Sequence, residues 1–345
     1  MNAGTIEIHA PYALCEDDVI VLSDQDTTML QVKVVLKKME AQDIASYELV
    51  ASGGGLLSAF EAGAHIDVHV PGGPVRQYSL YNAPGERHRY CIGVLRDPAS
   101  RGGSVALVDS IQTGASLTIS EPRNHFELDA GAQRSLLFAG GIGITPILCM
   151  AQQLSAQGRE FTFHYCGRSA DRMAFTGFIQ HSAFAGRTQL HADDGPQAQS
   201  FNAAQAIGAP DAGTHLYVCG PTGFMDHVLA SARSLGWPEE RLHREYFAGA
   251  VIDHTADGAF DVEIKSTGAV VHVGADQSVA QALDEAGIAI AVSCEQGVCG
   301  TCLTRVLDGK PDHRDMYLTD AERKSNDCFM PCCSRSQSTR LLLDL

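Results

Sequence analysis

A chain of 345 residues is long enough for two or three domains with cores of their own, and a formal charge of −16 argues against nucleic acid and against an anionic membrane surface as partners. Its composition, 45% hydrophobic and 19% charged, is that of an ordinary globular protein. The 11 cysteines are odd in number and mostly lie singly among apolar residues, as at Cys91, Cys149, Cys166 and Cys219, which is the usage of a reducing compartment and not of a disulfide framework.

The opening Met1-Asn-Ala-Gly-Thr-Ile-Glu-Ile-His has no basic segment followed by an apolar run, so no signal peptide is expected and the protein is placed in the cytoplasm. From Ser135 to Gly158 there is no charged residue, a length comparable to a membrane span. Gly140, Gly141, Gly143 and Pro146 divide it into strand, turn and helix instead. No internal repeat or low-complexity tract is visible.

Residues 1–27 carry Glu16, Asp17, Asp18, Asp24 and Asp26 without a strong period and read as an N-terminal extension. From Met29 a strand pattern begins, with Leu30, Val32, Val34 and Leu36 alternating with Gln31, Lys33 and Val35. Further strand-like runs span 45–51, 65–70, 76–81 and 89–96, punctuated by Ser52-Gly53-Gly54-Gly55 and Pro71-Gly72-Gly73-Pro74. Short strands with such turns predict an antiparallel β-barrel over 28–130. Two of its features can carry chemistry. In Arg76-Gln77-Tyr78-Ser79 a guanidinium can pair with phosphate, an aromatic ring can lie along a flat cofactor, and a hydroxyl can bond a ring nitrogen. Taken alone, an ordinary strand with a surface arginine explains that tetrapeptide at least as well. In Arg101-Gly102-Gly103-Ser104 a short apolar helix opens on free backbone N–H groups, a ready anion site, although a simple cap at Ser104 would read the same way.

Over 131–248 strands alternate with helices, which predicts a parallel sheet. The apolar run from Arg134 breaks at Gly140-Gly141-Ile-Gly143-Ile-Thr145-Pro146 and resumes with helical spacing. Strand, glycine turn and helix is the arrangement that brings amides to a dinucleotide's phosphates, although the G-x-G-x-x-G fingerprint is absent. A second strand leads to Arg168-Ser169 and a later one to Cys219-Gly220-Pro221; Gly140-Gly141 and Cys219-Gly220-Pro221 both fall at carboxyl ends, where ligands of such sheets bind.

A polar linker, 249–258, precedes a hairpin, a helix capped by Ser278 and ended by Gly287, and a last strand near Leu341, a β-grasp-like plan for 259–345. Within it lies Cys294-Glu-Gln-Gly-Val-Cys299-Gly-Thr-Cys302, with Cys332-Cys333 following. Three thiols spaced C-x4-C-x2-C with a distant fourth match the plant-type [2Fe-2S] pattern. Structural zinc sites favour paired knuckles instead.

These three modules, in this order and with Pro122-Arg-Asn-x-Phe126-x-Leu128, His243-x-Glu245-x-Phe247 and Ser334-Arg335 besides, resemble the phthalate dioxygenase reductase family, the reductase components of Rieske non-haem-iron oxygenases, from about residue 28 onward. The resemblance implies that Arg76, Gln77, Tyr78 and Ser79 bind a flavin, with Ser79 near its N5 edge, and that Gly102, Gly103 and Ser104 hold the phosphate of FMN. It implies that Gly140, Gly141, Gly143, Thr145, Pro146, Arg168, Ser169, Cys219, Gly220 and Pro221 bind NADH, and that Phe247 covers the flavin ring. Ser79, Cys219 and Phe247 would then be the catalytic positions. It places the fourth iron ligand two residues before Ser334, giving Cys294, Cys299, Cys302 and Cys332 and leaving Cys328 and Cys333 spare. The function so implied is a monomeric NADH-dependent reductase that takes a hydride and passes single electrons through the cluster to a Rieske oxygenase. A reductase for another one-electron acceptor, such as a separate ferredoxin or a haem monooxygenase, and a non-enzymatic [2Fe-2S] sensor are the competing readings.

Overall fold

The structure, a computed structural model, describes residues 28–345 except 71–72, 99–101, 197–199, 248 and 250–254. The N-terminal extension and residues 250–254 of the expected linker therefore lie outside the described residues.

The first module is built from β1 (Met29–Ala41), β2 (Ile44–Ala51), β3 (Ala64–His69), β4 (Val75–Ser79), β5 (Tyr90–Leu95), α1 (Gly103–Ser110), β6 (Ser116–Ser120) and β7 (Arg123–Asn124). All pairings are antiparallel, in the order β4-β3-β6-β1-β2-β5, with β7 added to β3. A bridge between Leu80 and Ile92 joins the end of β4 to β5 and closes the barrel. The alternation expected in β1 holds for Val32 and Val34, both fully buried, but not for Leu36, which is 42% exposed. The reason is a bulge between Val34 and Leu36, which shifts every later side chain by one position. Tyr47 of β2 crosses the interior and donates its hydroxyl proton to Leu107 O at 3.0 Å, seating α1 across the barrel.

The second module contains β8 (Arg134–Gly140), α2 (Ile144–Ala156), β9 (Glu160–Gly167), α3 (Thr176–Gln180), β10 (Thr188–Ala192), α4 (Ala203–Ile207), β11 (Thr214–Cys219), α5 (Thr222–Ser234) and β12 (Leu242–Glu245). Its sheet is wholly parallel in the order β10-β9-β8-β11-β12, so the order in which strands are added reverses between β8 and β11. One face is covered by α2 and shares a continuous core with the barrel, while α4 and α5 cover the other. The uncharged stretch 135–158 is thus β8, a turn and α2, and no described helix is long and apolar enough to cross a membrane.

The third module has β13 (Phe260–Ile264), β14 (Val270–Val273), α6 (Val279–Glu285), β15 (Thr304–Asp308), β16 (Pro311–Asp312), α7 (Asp320–Ser325), β17 (Cys328–Phe329), β18 (Arg335–Ser336) and β19 (Arg340–Leu343). The sheet order is β14-β13-β19-β15-β17, with β13 and β19 parallel. Ser278 caps α6 in a capping box with Gln281, as its position before an apolar helix predicts. Arg335 is buried and donates to the carbonyls of Gln277, Gly258 and Gly274 at 2.6–3.0 Å, which fixes where the chain enters this module.

Candidate functional site

The three modules meet along β4. Ser79 Oγ donates to Glu245 Oε2 of the nucleotide module at 3.1 Å, and Gln77 Nε2, two residues earlier, donates to Ser293 Oγ of the third module at 3.1 Å. One five-residue strand therefore touches both of the other domains.

Beside it the barrel forms an anion-binding corner. Gly102 adopts a left-handed conformation (φ 90°), and α1 starts at Gly103 with no side-chain cap. The expected cap at Ser104 is not formed: Ser104 lies inside the helix, and its hydroxyl accepts the N–H of Asp97 at 3.3 Å. A Cβ at Gly103 would lie 2.8 Å from Arg76 Cγ, so the guanidinium stem runs over the first turn of α1. Uncapped amides and an adjacent cation favour a phosphate there. Tyr78 presents a buried hydroxyl without a partner among the described residues, and burial raises its pKa. A buried donor left unmatched is costly, so this atom fits a missing polar ligand such as a flavin.

On the nucleotide side the two glycine turns interlock. A Cβ at Gly143 would fall 2.3 Å from Cys219 O and 2.5 Å from Gly220 N, and one at Gly140 would fall 2.7 Å from Phe224 and 3.0 Å from Pro221. Backbone meets backbone at the switch point between β8 and β11, where open parallel sheets bind their ligands. Thr145 is buried and turns its hydroxyl back onto Ile142 O at 3.2 Å, while its methyl packs on Gly93 of the barrel. Pro146 sits buried in the first turn of α2. Arg168 is exposed, and Ser169 donates its hydroxyl proton to the Asp171 carboxylate. Cys219 is fully buried, and that burial pushes its thiol well above the ordinary value. Phe247 is 40% exposed just past β12.

Glu245 stands in the sequence only within His243-x-Glu245-x-Phe247, and its role emerges from the fold. A half-buried carboxyl ending a parallel strand, its pKa raised by burial to about 8 while the Ser79 hydroxyl opposes that rise, is the group by which the nucleotide module reaches β4. The signal available was its place two residues before Phe247. Asp67 and Ser293 were also missed, because their partners lie more than 200 residues apart in the chain.

In the cysteine loop Cys294, Cys299 and Cys302 are 9%, 5% and 4% exposed. Gly297 and Gly300 both adopt left-handed conformations (φ 70° and 75°) and admit no side chain. A Cβ on Gly297 would meet Cys333 Sγ at 2.4 Å, and one on Gly300 would meet the Tyr317 ring at 2.4 Å. Gln296 donates its N–H to Cys294 Sγ at 3.3 Å, and Cys299 Sγ lies 3.2 Å from Thr301 Oγ1. Cys294 contacts both Cys299 and Cys332, whereas the Cys333 sulfur packs against Gly297 and near Ser334. Among the described residues no three His, Cys, Asp or Glu side chains converge as on one mononuclear ion; the thiols touch in pairs. The neighbouring Cys294 thiol, then burial, pushes Cys299 up. Adjacent buried thiols that resist ionisation need an intense positive charge to become thiolates, and two ferric ions supply it, so the donor set fits a [2Fe-2S] cluster.

Comparison with known proteins agrees with this arrangement. Residues 262–337 match the family model of the 2Fe-2S iron-sulfur cluster binding domain, and residues 118–242 match that of the N-terminal domain of dimethylamine monooxygenase subunit DmmA-like proteins. The chain is 58% identical over 317 residues to a vanillate O-demethylase oxidoreductase of Pseudomonas, covering 92% of this chain and 100% of that one. It is 37% identical to the phthalate dioxygenase reductase of Burkholderia cepacia, covering 93% and 99%. A solved phthalate dioxygenase reductase, described as modular for electron transfer from pyridine nucleotides to [2Fe-2S], superposes with a TM-score of 0.72 at 37% identity over 92% of this chain and 98% of its own. An intact type IV self-sufficient cytochrome P450 monooxygenase superposes with a TM-score of 0.80 at 38% identity, over 92% of this chain but 41% of that one. A barrel, a parallel nucleotide-type sheet and a ferredoxin domain around one junction define an iron-sulfur electron-transfer oxidoreductase. The chain belongs to the family of oxygenase reductases that includes the vanillate O-demethylase oxidoreductases and phthalate dioxygenase reductase.

Proposed function

We propose that this oxidoreductase takes a hydride from NADH onto FMN and delivers single electrons through a [2Fe-2S] cluster to a Rieske oxygenase of the vanillate O-demethylase type. The observation that carries the reading is the β4 junction, where Ser79 meets the nucleotide module and Gln77 meets the cluster loop. When bound, the flavin accepts electron pairs and the cluster single electrons, which is the conversion such a chain needs.

The chain's own residues bind and position. The Arg76 guanidinium and the α1 amides would hold the flavin phosphate, and Tyr78 would supply the hydrogen bond its buried hydroxyl lacks. Ser79, steadied by Glu245, would sit at the flavin's reactive edge. Burial favours the protonated form of the Glu245 carboxyl behind Ser79, raising its pKa to about 8. Buried Cys219 and the interlocked glycine turns would seat the nicotinamide, and Phe247 would shield the flavin from water. The Asp171 carboxylate bonded to Ser169 opposes a 2′-phosphate there while the exposed Arg168 would attract one, so NADH over NADPH rests on the family resemblance. Cys294, Cys299, Cys302 and Cys332 would be the iron ligands, since Cys332 is the one of the vicinal pair in contact with Cys294. The division into 28–130, 131–248 and 259–345 with a monomeric chain completes the proposal.

The test has three parts: chromatography of acid-released flavin, anaerobic titration with NADH and NADPH, and coupled turnover of vanillate by a purified vanillate-type Rieske oxygenase. FMN, an NADH preference and vanillate-dependent NADH oxidation are expected. Released FAD would overturn the cofactor assignment, and failure to support the oxygenase would overturn the partner. The P450 match gives substance to a haem monooxygenase as the alternative acceptor, and reduction of such a haem in place of the Rieske centre would favour it.

A further inference from the structure

Ser293, the residue immediately before Cys294, is 8% exposed, and its hydroxyl is held from two sides by the barrel. It accepts from Gln77 Nε2 at 3.1 Å and donates to Asp67 Oδ1 at 2.9 Å. The other oxygen of Asp67, itself 6% exposed, accepts from Arg123 Nη2 at 2.5 Å. Two barrel strands, β3 through Asp67 and β4 through Gln77, thus meet on one oxygen of the cluster loop, and β7 braces Asp67 from behind through Arg123. Buried hydrogen bonds of this kind, one of them backed by a charged pair, are directional and resist sliding. The other barrel contact near the loop is softer: the His125 and Tyr317 rings meet edge to face with centroids 6.2 Å apart, and Gly300 packs on Tyr317.

We propose that Ser293 is a positioning residue for electron transfer from flavin to cluster, its hydroxyl fixing the distance between Cys294 and the flavin strand. The inference rests on the flavin and cluster assignments above. In the step concerned one electron leaves the reduced flavin and one ferric ion becomes ferrous; a proton released by the flavin goes to solvent, and Ser293 keeps its own. Tunnelling falls steeply with separation, so a tether on the residue next to an iron ligand sets the rate without entering the chemistry.

The experiment uses Ser293→Ala and Ser293→Thr as full-length holoproteins, mixed anaerobically with NADH. Flavin bleaching in stopped flow should match the parent protein in both. Cluster reduction, followed by freeze-quench EPR, should slow severalfold in Ser293→Ala, because losing the tether lengthens the tunnelling path, and recover in Ser293→Thr. Amide hydrogen exchange around residues 293–296 should rise in Ser293→Ala alone, with the EPR line shape of the fully reduced cluster unchanged. Cluster reduction at the parent rate in Ser293→Ala, or an equal loss in Ser293→Thr, would overturn the proposal. Should Ser293→Ala fail to retain its cluster, Asp67→Asn gives the same readouts, and a parent rate there is equally decisive against it. If NADH does not bleach the parent protein's flavin, the functional reading itself fails, and the exchange data still judge the tether.

Discussion

Replacing Glu245 by Gln removes a carboxyl whose proton the fold holds unusually tightly. Burial raises its pKa from an ordinary 4.5 to about 8, and the Ser79 hydroxyl, donating at 3.1 Å, opposes that rise. Between those two values the unfolded chain has released the proton while the folded chain keeps it, so stability falls as pH rises through that window and levels off above it. At about 1.4 kcal/mol per pH unit the full rise corresponds to about 5 kcal/mol. The side chain is half-buried, so water screens part of this, and about 2–3 kcal/mol is the expected size. Glu245→Gln keeps the shape and the acceptor oxygen but cannot ionise. Its stability relative to the parent should therefore grow with pH, reaching roughly 5 °C in Tm near pH 8 and vanishing near pH 5. Thermal unfolding of both proteins across that range, flavin-loaded, reads the difference directly. A difference that stays constant with pH would refute the reasoning, because it would mean that Glu245 is already ionised in the fold.

Gly143→Ala and Gly141→Ala should differ chiefly in their effect on NADH binding. The first places a methyl 2.3 Å from Cys219 O, while the second meets nothing within 4 Å and bears only the strain of its left-handed conformation. We expect a loss of about 1–3 kcal/mol and a raised KM for NADH in Gly143→Ala, against about 1–2 kcal/mol of strain with little change in KM for Gly141→Ala, measured by thermal unfolding and steady-state kinetics. Cys332→Ser should abolish the visible cluster spectrum and Cys333→Ser should leave it; the reverse result would exchange their roles. Tyr78→Phe should leave flavin-free protein as stable or more stable by about 1 kcal/mol, since the hydroxyl has no partner there, and should weaken flavin binding by a similar amount. Calorimetry of flavin-free protein and fluorescence titration with FMN separate the two effects, and a destabilised flavin-free variant would contradict the assignment.

The modular plan was legible because it rests on local signals: period-two alternation in β1 and β2, glycine turns after β8 and β11, and thiol spacing from Cys294 to Cys302. Where local pattern misled, a local irregularity was the cause, as with the β1 bulge that turns Leu36 outward. The helix start at Gly103 displaced the expected Ser104 cap because Gly102 can adopt the left-handed conformation that a serine would resist. The joints between modules were not legible. Asp67, Ser293 and Glu245 are each unremarkable in their own segments, and their meaning arises only when strands distant in the chain bring them together.

The position of β19 bears on how the protein matures. Residues 340–343 lie at the centre of the third sheet, between β13 and β15, and bury Leu341 and Leu343 in its core. The cysteines of the loop are synthesised well before that strand, yet the sheet that supports them cannot close until it has emerged from the ribosome. A nascent chain stalled before residue 340 would lack the central strand of the sheet on which the cysteine loop is mounted.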